Sequence, residues 1–190
     1  QAITATANSN SQTYNGEALV DNGYSLTAGS LLEGDRLVVT VVGSATNVAD
    51  TETGNNKITE VKVMHGDEDV TANYKVTTVD GTLTITPATV TITAKSEEFT
   101  YDGNTHSNAG YDVDGLVGND AIEAVVEGSI TYPSQSPVAN EVKSHEFTTG
   151  IAGNYTVSYV AGTLTMKTAE QAITVTANSN SQTYNGEALV

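Results

Sequence analysis

Hydrophobic and polar residues alternate over several short stretches of the chain, and this alternation predicts β-strands. Residues 3–7 (ITATA) place their apolar members on one face of a half-buried strand, and a second short strand is expected around Tyr24 and Leu26. Residues 36–42 (RLVVTVV) are apolar on both faces, so they are expected to form a central, well-covered strand.

The end of the first half contains a hairpin signal. Residues 74–79 (YKVTTV) and 82–86 (TLTIT) are rich in β-formers and flank Asp80-Gly81. An Asp-Gly pair between two such runs is typical of a tight turn with positive φ, so the sequence predicts a β-hairpin here. Pro87 has no N–H for strand pairing and marks a boundary.

The strongest pattern is an internal repeat. Residues 171–190 repeat residues 1–20 with Val175 in place of Ala5, which gives a period of 170 residues. A looser copy of the same opening starts near residue 89. We therefore expect a first module at 1–87, a second at 88–169 and the opening strands of an incomplete third at 170–190, in a chain cut from a longer array.

Short motifs recur between the modules. Tyr14-Asn15-Gly16, a predicted tight turn, matches Tyr101-Asp102-Gly103, and Asp80-Gly81 matches Ala161-Gly162. The offset between matching positions of the two modules falls from 87 to 81 residues along the chain. The missing residues fall in the middle connections, where surface loops tolerate changes of length. The predicted fold is mainly β, with two tandem modules arranged end to end.

One stretch has a competing interpretation. Residues 119–126 (NDAIEAVV) offer an N-cap and good helix formers. Their counterpart at 34–42 is too rich in β-branched residues for a helix. Because two copies of one fold should share their elements, we predict a strand in both.

Composition excludes several functions. The formal net charge is −16, and nucleic acids and anionic membranes require clustered cations that this chain lacks. No apolar run is long enough to span a bilayer. Cysteine is absent, so disulfides and thiolate metal sites are excluded.

Candidate chemistry is sparse, and we expect no catalytic residue, metal or cofactor. The competing interpretation of the acidic stretch around Gly115 is a calcium site, because Ca²⁺ favours several oxygen ligands from one loop. Its candidate ligands are Asp112, Asp114 and Asp120. His65, His106 and His145 fit solvated surface positions, and no nucleophile motif accompanies them.

Two further hypotheses concern side-chain chemistry. A Lys–Asn isopeptide cross-link needs a lysine buried beside an asparagine and an acid, which sequence does not locate. Tyr132 and Tyr159 have no tyrosine counterpart in the other module, so they are the first candidates for stacking on a sugar.

The recurring Thr-Tyr-Asn/Asp-Gly turn, the later Asn-Tyr pair and the Gly-Thr-Leu-Thr motif together resemble the MBG ("mostly beta grasp") and YDG repeat families of large bacterial surface proteins. Tyr101-Asp102-Gly103 is similar to the YDG signature as it stands, whereas Tyr14-Asn15-Gly16 departs from it at Asn15. The resemblance implies β-grasp-like modules in a stalk or adhesin segment outside the cell. These families bring no catalytic residues.

Two functions follow as hypotheses: a spacer that presents a binding domain, or an adhesin module that itself binds host glycan or protein. The expected partners of each module are neighbouring repeats of the same chain. Residues 1–20 and 171–190 could fill the same slot in a module, so head-to-tail strand exchange between molecules is a further prediction.

Overall fold

A computed structural model describes residues 1–189, and this part of the chain is mainly β, with fifteen strands and four single-turn 3-10 helices. In the first half the strands are β1 (Ala2–Ala7), β2 (Asn10–Thr13), β3 (Tyr24–Ala28), β4 (Asp35–Val42), β5 (Lys57–His65), β6 (Glu68–Asp69), β7 (Lys75–Val79) and β8 (Leu83–Thr86). In the second half they are β9 (Ala88–Ala94), β10 (Glu97–Thr100), β11 (Tyr111–Asp114), β12 (Ala121–Glu127), β13 (Val138–Thr149), β14 (Tyr155–Val160) and β15 (Gly162–Lys167). The 3-10 helices are Val48–Asp50, Thr71–Asn73, Pro133–Gln135 and Ala152–Asn154.

In the first half, the opening strands pair with the closing strands. β1 lies between β3, its antiparallel neighbour, and β7, its parallel neighbour, while β2 pairs in parallel with β8. A separate antiparallel sheet has the order β4-β5-β6. Ile3, Ala5 and Ala7 are buried, because the alternating pattern of β1 turns them to the core.

The second half repeats this pairing. β9 lies between antiparallel β11 and parallel β14, and β10 pairs in parallel with β15. The long strand β13 pairs with β15 through its first residues and with β12 through the rest. Within residues 1–189, each sheet takes all of its strands from one half.

The cores are small and several. In the first half, Ile3, Val63 and Tyr74 form one buried cluster, and Leu19, Ala45, Leu83 and Ile85 form another. In the second half, the larger cluster surrounds Val90, Ile92 and Tyr155, and a smaller one joins Ile130, Leu164 and Met166. Each half thus buries its own apolar strand faces.

The prediction of a covered central strand at 36–42 is wrong. β4 is an edge strand of the β4-β5-β6 sheet, and its outward residues Val38 and Val42 are exposed. Only Val41 is buried in β4. Valines on its outer face suit an extended backbone without requiring a second covering layer, so apolar residues on both faces were an insufficient criterion.

The spacing of Ile58, Val61 and Val63 breaks strict alternation and predicts a bulge or a late strand start, and β5 contains a bulge. The β4–β5 register shifts between Thr40 and Val41, which pair with Glu60 and Ile58, so that Thr59 is the extra residue of a bulge. The strand prediction for residues 119–126 is also confirmed, since β12 covers Ala121–Glu127.

The predicted hairpin at Asp80-Gly81 is wrong. β7 and β8 belong to different sheets, and Gly81 has no positive φ. Gly81 instead exchanges two backbone hydrogen bonds with Asn56, of 2.8 and 3.1 Å. A Cβ at Gly81 would lie 2.0 Å from the carbonyl oxygen of Asn8. The glycine therefore allows two backbones to approach closely at the point where the chain changes sheets.

The equivalent pair Ala161-Gly162 plays the same part in the second half. Gly162 pairs with Asn140 across the β13–β15 ladder, and a Cβ on it would lie 2.3 Å from the carbonyl oxygen of Lys95. β14 and β15 also lie in different sheets. The repeat was therefore predicted correctly at this point, although the turn assigned to it was not.

A buried asparagine fastens this crossing in each half. The Asn140 side-chain amide donates hydrogen bonds to the carbonyl oxygens of Lys95 and Asn108, at 2.9 and 2.8 Å. Asn56 donates to Asn8 and Asp21 in the same way, at 2.8 Å each. Both asparagines are fully buried. Each amide thereby ties its own segment to the two loops at the end of a strand pair, β1–β3 in the first half and β9–β11 in the second.

Replacing this amide should destabilise the fold. Asn140→Ala leaves two buried carbonyls without their donor, so we expect the free energy of unfolding, measured by urea denaturation, to fall by about 2–3 kcal/mol. Asn119→Ala, at an exposed loop position, is the control and should change it by less than about 0.5 kcal/mol. Equal stability of the two variants would contradict the role assigned to Asn140.

Candidate functional site

The contact between the two halves is where the structure concentrates recurring motifs. Tyr14, just after β2, packs on the first-half cluster of Leu19 and Leu83 and also on the large second-half cluster. Its ring meets that of Tyr155 edge-on, with centroids 5.3 Å apart. Its hydroxyl lies 3.5 Å from Oδ2 of Asp120. One tyrosine is thus shared by two cores.

An amide pair closes the same contact. Asn154 Nδ2 donates to Oδ1 of Asn47 at 2.8 Å, and its own Oδ1 accepts the backbone N–H of Val48 at 2.9 Å. Asn154 ends one 3-10 helix and Asn47 precedes another, so two single-turn helices meet end on. Asn154 is 1% exposed. Because both ends of its amide are used, the contact fixes an orientation as well as a distance.

A tyrosine–aspartate pair lies under this contact. The Tyr155 hydroxyl donates to Asp120 Oδ2 at 2.6 Å and accepts the Val117 N–H at 3.1 Å. Burial, and then the hydrogen bond to the Asp120 carboxylate, raise the pKa of Tyr155 to about 12. The neutral phenol is therefore the form that the fold stabilises.

The first half builds the same pair at its corresponding position. The Tyr74 hydroxyl donates to Asp35 at 2.5 Å and accepts the Leu32 N–H at 2.9 Å. Burial raises the pKa of Tyr74, and its hydrogen bond to Asp35 acts in the same direction. The hydrogen bonds from Tyr74 and then from His65 lower the pKa of the Asp35 carboxyl.

Both Tyr-Asn/Asp-Gly motifs form turns whose glycine has positive φ. Gly16 has φ +81° and Gly103 has φ +86°. Asn15 Oδ1 accepts the N–H of Glu17 at 2.9 Å, and Asp102 Oδ1 accepts the N–H of Asn104 at 2.9 Å. The first of these turns lies at the contact, because a Cβ on Gly16 would meet Val117 at 3.3 Å.

Asp102 also contacts His106, whose Nε2 lies 2.9 Å from the carboxylate. That hydrogen bond, followed by those from Asn104, holds the pKa of Asp102 well below its usual range. The second turn is thus an acidic variant of the first.

The three candidate calcium ligands have different surroundings, so the structure does not bring them together. Asp112 forms an ion pair with Lys95, with Nζ–O distances of 2.6 and 2.7 Å. Asp114 lies opposite Thr91 in the β9–β11 pair, and Asp120 accepts from Tyr155. Within residues 1–189 no group of three or more His, Cys, Asp or Glu side chains is arranged to hold a metal ion.

The other sequence candidates are separated as well. His65, His106 and His145 lie beside Asp35, Asp102 and Tyr159 respectively. Every lysine of the described chain lies at the surface, so the buried asparagines lack the lysine partner that an isopeptide bond needs. Tyr132 packs against Tyr101, whereas Tyr159 packs against His145.

One open depression on the surface is lined by Val126, Glu127, Gly128, Glu141 and Lys143, among others. Its charged side chains include Glu141 and Lys143, which form an ion pair with each other. The most specific geometry of the chain is therefore the contact between the halves.

Taken together, these observations describe a mainly β chain whose two halves share one strand-pairing pattern and the same turn motifs. Residues 90–165, in the second half of the chain, match the family model described as MBG domain (YGX type). This confirms the MBG resemblance. MBG domains are repeat domains that occur in surface proteins.

The chain matches no curated protein and no solved structure. No helix within residues 1–189 has the length and apolar character needed to cross a membrane.

The raised pKa of Tyr155 gives an alkaline signature. A folded pKa above the unfolded value of about 10 contributes stability that is present below pH 10 and is lost as the pH rises towards about 12. In a spectrophotometric titration, we expect Tyr155→Phe to remove phenolate absorbance from the latest part of the curve. In denaturant, the tyrosines of the wild-type chain should all titrate together near pH 10. Superimposable folded titration curves for wild type and variant, after scaling, would count against this account.

Proposed function

We propose that the chain is a non-catalytic spacer segment of a large bacterial cell-surface or secreted adhesin-like protein, and that it holds a binding domain away from the envelope. The MBG match supports the repeat character of the segment. The observation that carries the mechanical part of the proposal is the parallel pairing of opening and closing strands in both halves.

This pairing resists a pull applied to the ends of the chain. In a parallel pair, the N-terminal end of one strand and the C-terminal end of the other lie at opposite ends of the ladder. Tension therefore draws β2 and β8 lengthwise past each other and loads their hydrogen bonds together. β10 and β15 have the same arrangement in the second half.

Tension also passes directly from one half to the next. β8 ends at Thr86 and β9 begins at Ala88, so Pro87 alone connects the closing strand of the first half to the opening strand of the second. The junction at Tyr14 and Asn154 supports this short connection from the side. A spacer needs both features: resistant modules and a short, supported link.

The net charge suits a crowded array. At −16 the modules repel one another unless specific contacts bring them together, which opposes aggregation. The Lys62–Glu60 and Lys167–Glu98 ion pairs are exposed, so they add little to stability.

The second candidate, an adhesin module that binds host glycan or protein, is favoured by one observation: Tyr132 is 53% exposed and lies beside Tyr101, as a sugar-stacking pair would. Glycan-array binding by the isolated chain that is lost in Tyr132→Ala would favour this candidate over the spacer.

Head-to-tail strand exchange, in which residues 171–190 enter the first-half slot of another molecule, stays a prediction. Its fit is impaired at one position. Ala5 has no exposed surface, and Val175 would bring extra methyl groups into that filled space, at a cost of about 1–3 kcal/mol.

Single-molecule force spectroscopy tests the mechanical proposal. Handles at Gln1 and Thr168 pull the parallel pairs in shear, and we expect the halves to unfold at high force. In the control, cysteines replace Ala121 and Thr149, which face each other at one end of the β12–β13 pair, so force opens that ladder one bond at a time. End-to-end unfolding at a force no higher than in this control would contradict the proposal.

A further inference from the structure

The residues that join the two halves have counterparts that do not meet in this chain. The first half contributes Tyr14, Asn47 and Val48 to the junction, from its lower surface. Tyr101 corresponds to Tyr14 by the repeat offset. Tyr132 and Pro133 correspond to Asn47 and Val48, because each pair consists of the residue before a 3-10 helix and the first residue of that helix. We define Tyr101, Tyr132 and Pro133 as the lower surface of the second half.

The same holds for the other side of the junction. The second half contributes Val117, Asp120, Asn154 and Tyr155. The corresponding residues of the first half are Leu32, Asp35, Asn73 and Tyr74, which we define as the upper surface of the first half.

We propose that the lower surface of the second half docks onto the upper surface of the first half of a second copy of this chain, and so repeats between molecules the junction seen within one. The inference goes beyond the spacer function and does not depend on it, because it is argued from the junction alone.

The upper surface is already formed in the shape that the junction uses. Tyr74 holds Oδ2 of Asp35 and the Leu32 N–H, as Tyr155 holds Oδ2 of Asp120 and the Val117 N–H. In the observed junction, the Tyr14 hydroxyl approaches Oδ2 of Asp120. His65 contacts the other oxygen of Asp35.

The exposure of two residues indicates that, within residues 1–189, no module covers the upper surface of the first half. Leu32 is 57% exposed. Asn73 is exposed although it ends a 3-10 helix in the same way as Asn154, which is 1% exposed beneath the first half. The difference between these two asparagines is the presence of a neighbouring module.

The lower surface offers aromatic rings in place of the amide pair. Tyr101 packs on the cluster of Ile130, Leu164 and Met166, and Tyr132 tilts against it with centroids 6.2 Å apart. Tyr132 stands where the first half has Asn47, and Pro133 stands where it has Val48. Proline has no N–H, so the hydrogen bond from Val48 to Asn154 has no counterpart at the proposed joint.

Two kinds of joint would therefore alternate. The observed junction is fixed by the Asn154 amide. The proposed junction is held by contact of Tyr101 and Tyr132 with Asn73 and Leu32, and this contact constrains the orientation of the modules less. Aromatic rings contribute contact area at low cost in side-chain entropy, so a joint built on Tyr101 and Tyr132 suits a hinge.

The sequence itself indicates this occupant. Residues 171–190 repeat the opening of the first half directly after the second half, so the opening sequence of the first half directly follows the half that carries the lower surface. Between separate molecules the joint lacks a connecting chain, which within an array supplies an effective concentration in the mM range. The contact between two copies should therefore be weak and visible at high protein concentration.

Paramagnetic relaxation between two copies tests the docking. The chain has no cysteine, so Ala72→Cys places a single nitroxide beside Asn73. Mixed at about 1 mM with ¹⁵N-labelled chain, this variant should broaden the amide signals around Tyr101, Tyr132 and Ser134 selectively. A nitroxide at exposed Ser144, on β13, is the control and should not broaden them.

A variant of the labelled chain completes the test. Tyr132→Ser should keep the wild-type spectrum elsewhere and lose most of the selective broadening. Absent broadening at this concentration, equal broadening by both nitroxides, or broadening centred on another surface would each overturn the proposal. None of these outcomes bears on the force measurement, which is made on single chains.

Discussion

The structure depends on the parallel pairing of the first strands of each half with its last. A parallel pair cannot be closed by a tight turn, so β1 with β7, and β2 with β8, bring together residues that are more than seventy positions apart. Each half is thereby closed by its own ends. The buried asparagines and the glycine crossings serve this arrangement, because they hold the connections that lead from one sheet to the other.

Residues 171–189 show what that pairing supplies. Their sequence is that of β1 and β2 with one change, yet they form no strand, and Ile173 and Tyr184 are 86% and 93% exposed. The turn within them keeps its form, since Gly186 has φ +84° and Asn185 Oδ1 accepts the N–H of Glu187. Turn geometry is therefore local, whereas the strands need their partners.

Sequence reasoning succeeded where the cause is local or repeated. It predicted β1, a strand at 119–126, the irregularity near Thr59 and the MBG resemblance. It missed β2 and β10, whose polar or charged residues carry no alternating pattern and which pair through their backbones with β8 and β15. It misassigned Asp80-Gly81 because the residues of a tight turn also suit a close backbone crossing.

The junction was only half accessible to prediction. The turns at Tyr14 and Tyr101 could be recognised from their residues, but Asn47 and Asn154 could not, because an amide pair depends on how two modules are oriented. The role of the surface at Tyr132 could not be predicted from sequence for the same reason. It is recognised only because Asn47, at the equivalent position of the first half, contacts Asn154 in the structure.

The central claim is that the junction holds the two halves in one fixed orientation, as a spacer requires. Residual dipolar couplings measured for the folded residues 2–167 test it most directly. The account predicts that both halves share one alignment tensor, and that Asn154→Ala, which removes the amide pair, makes the two tensors differ. Distinct tensors for the two halves of the wild-type chain would contradict it.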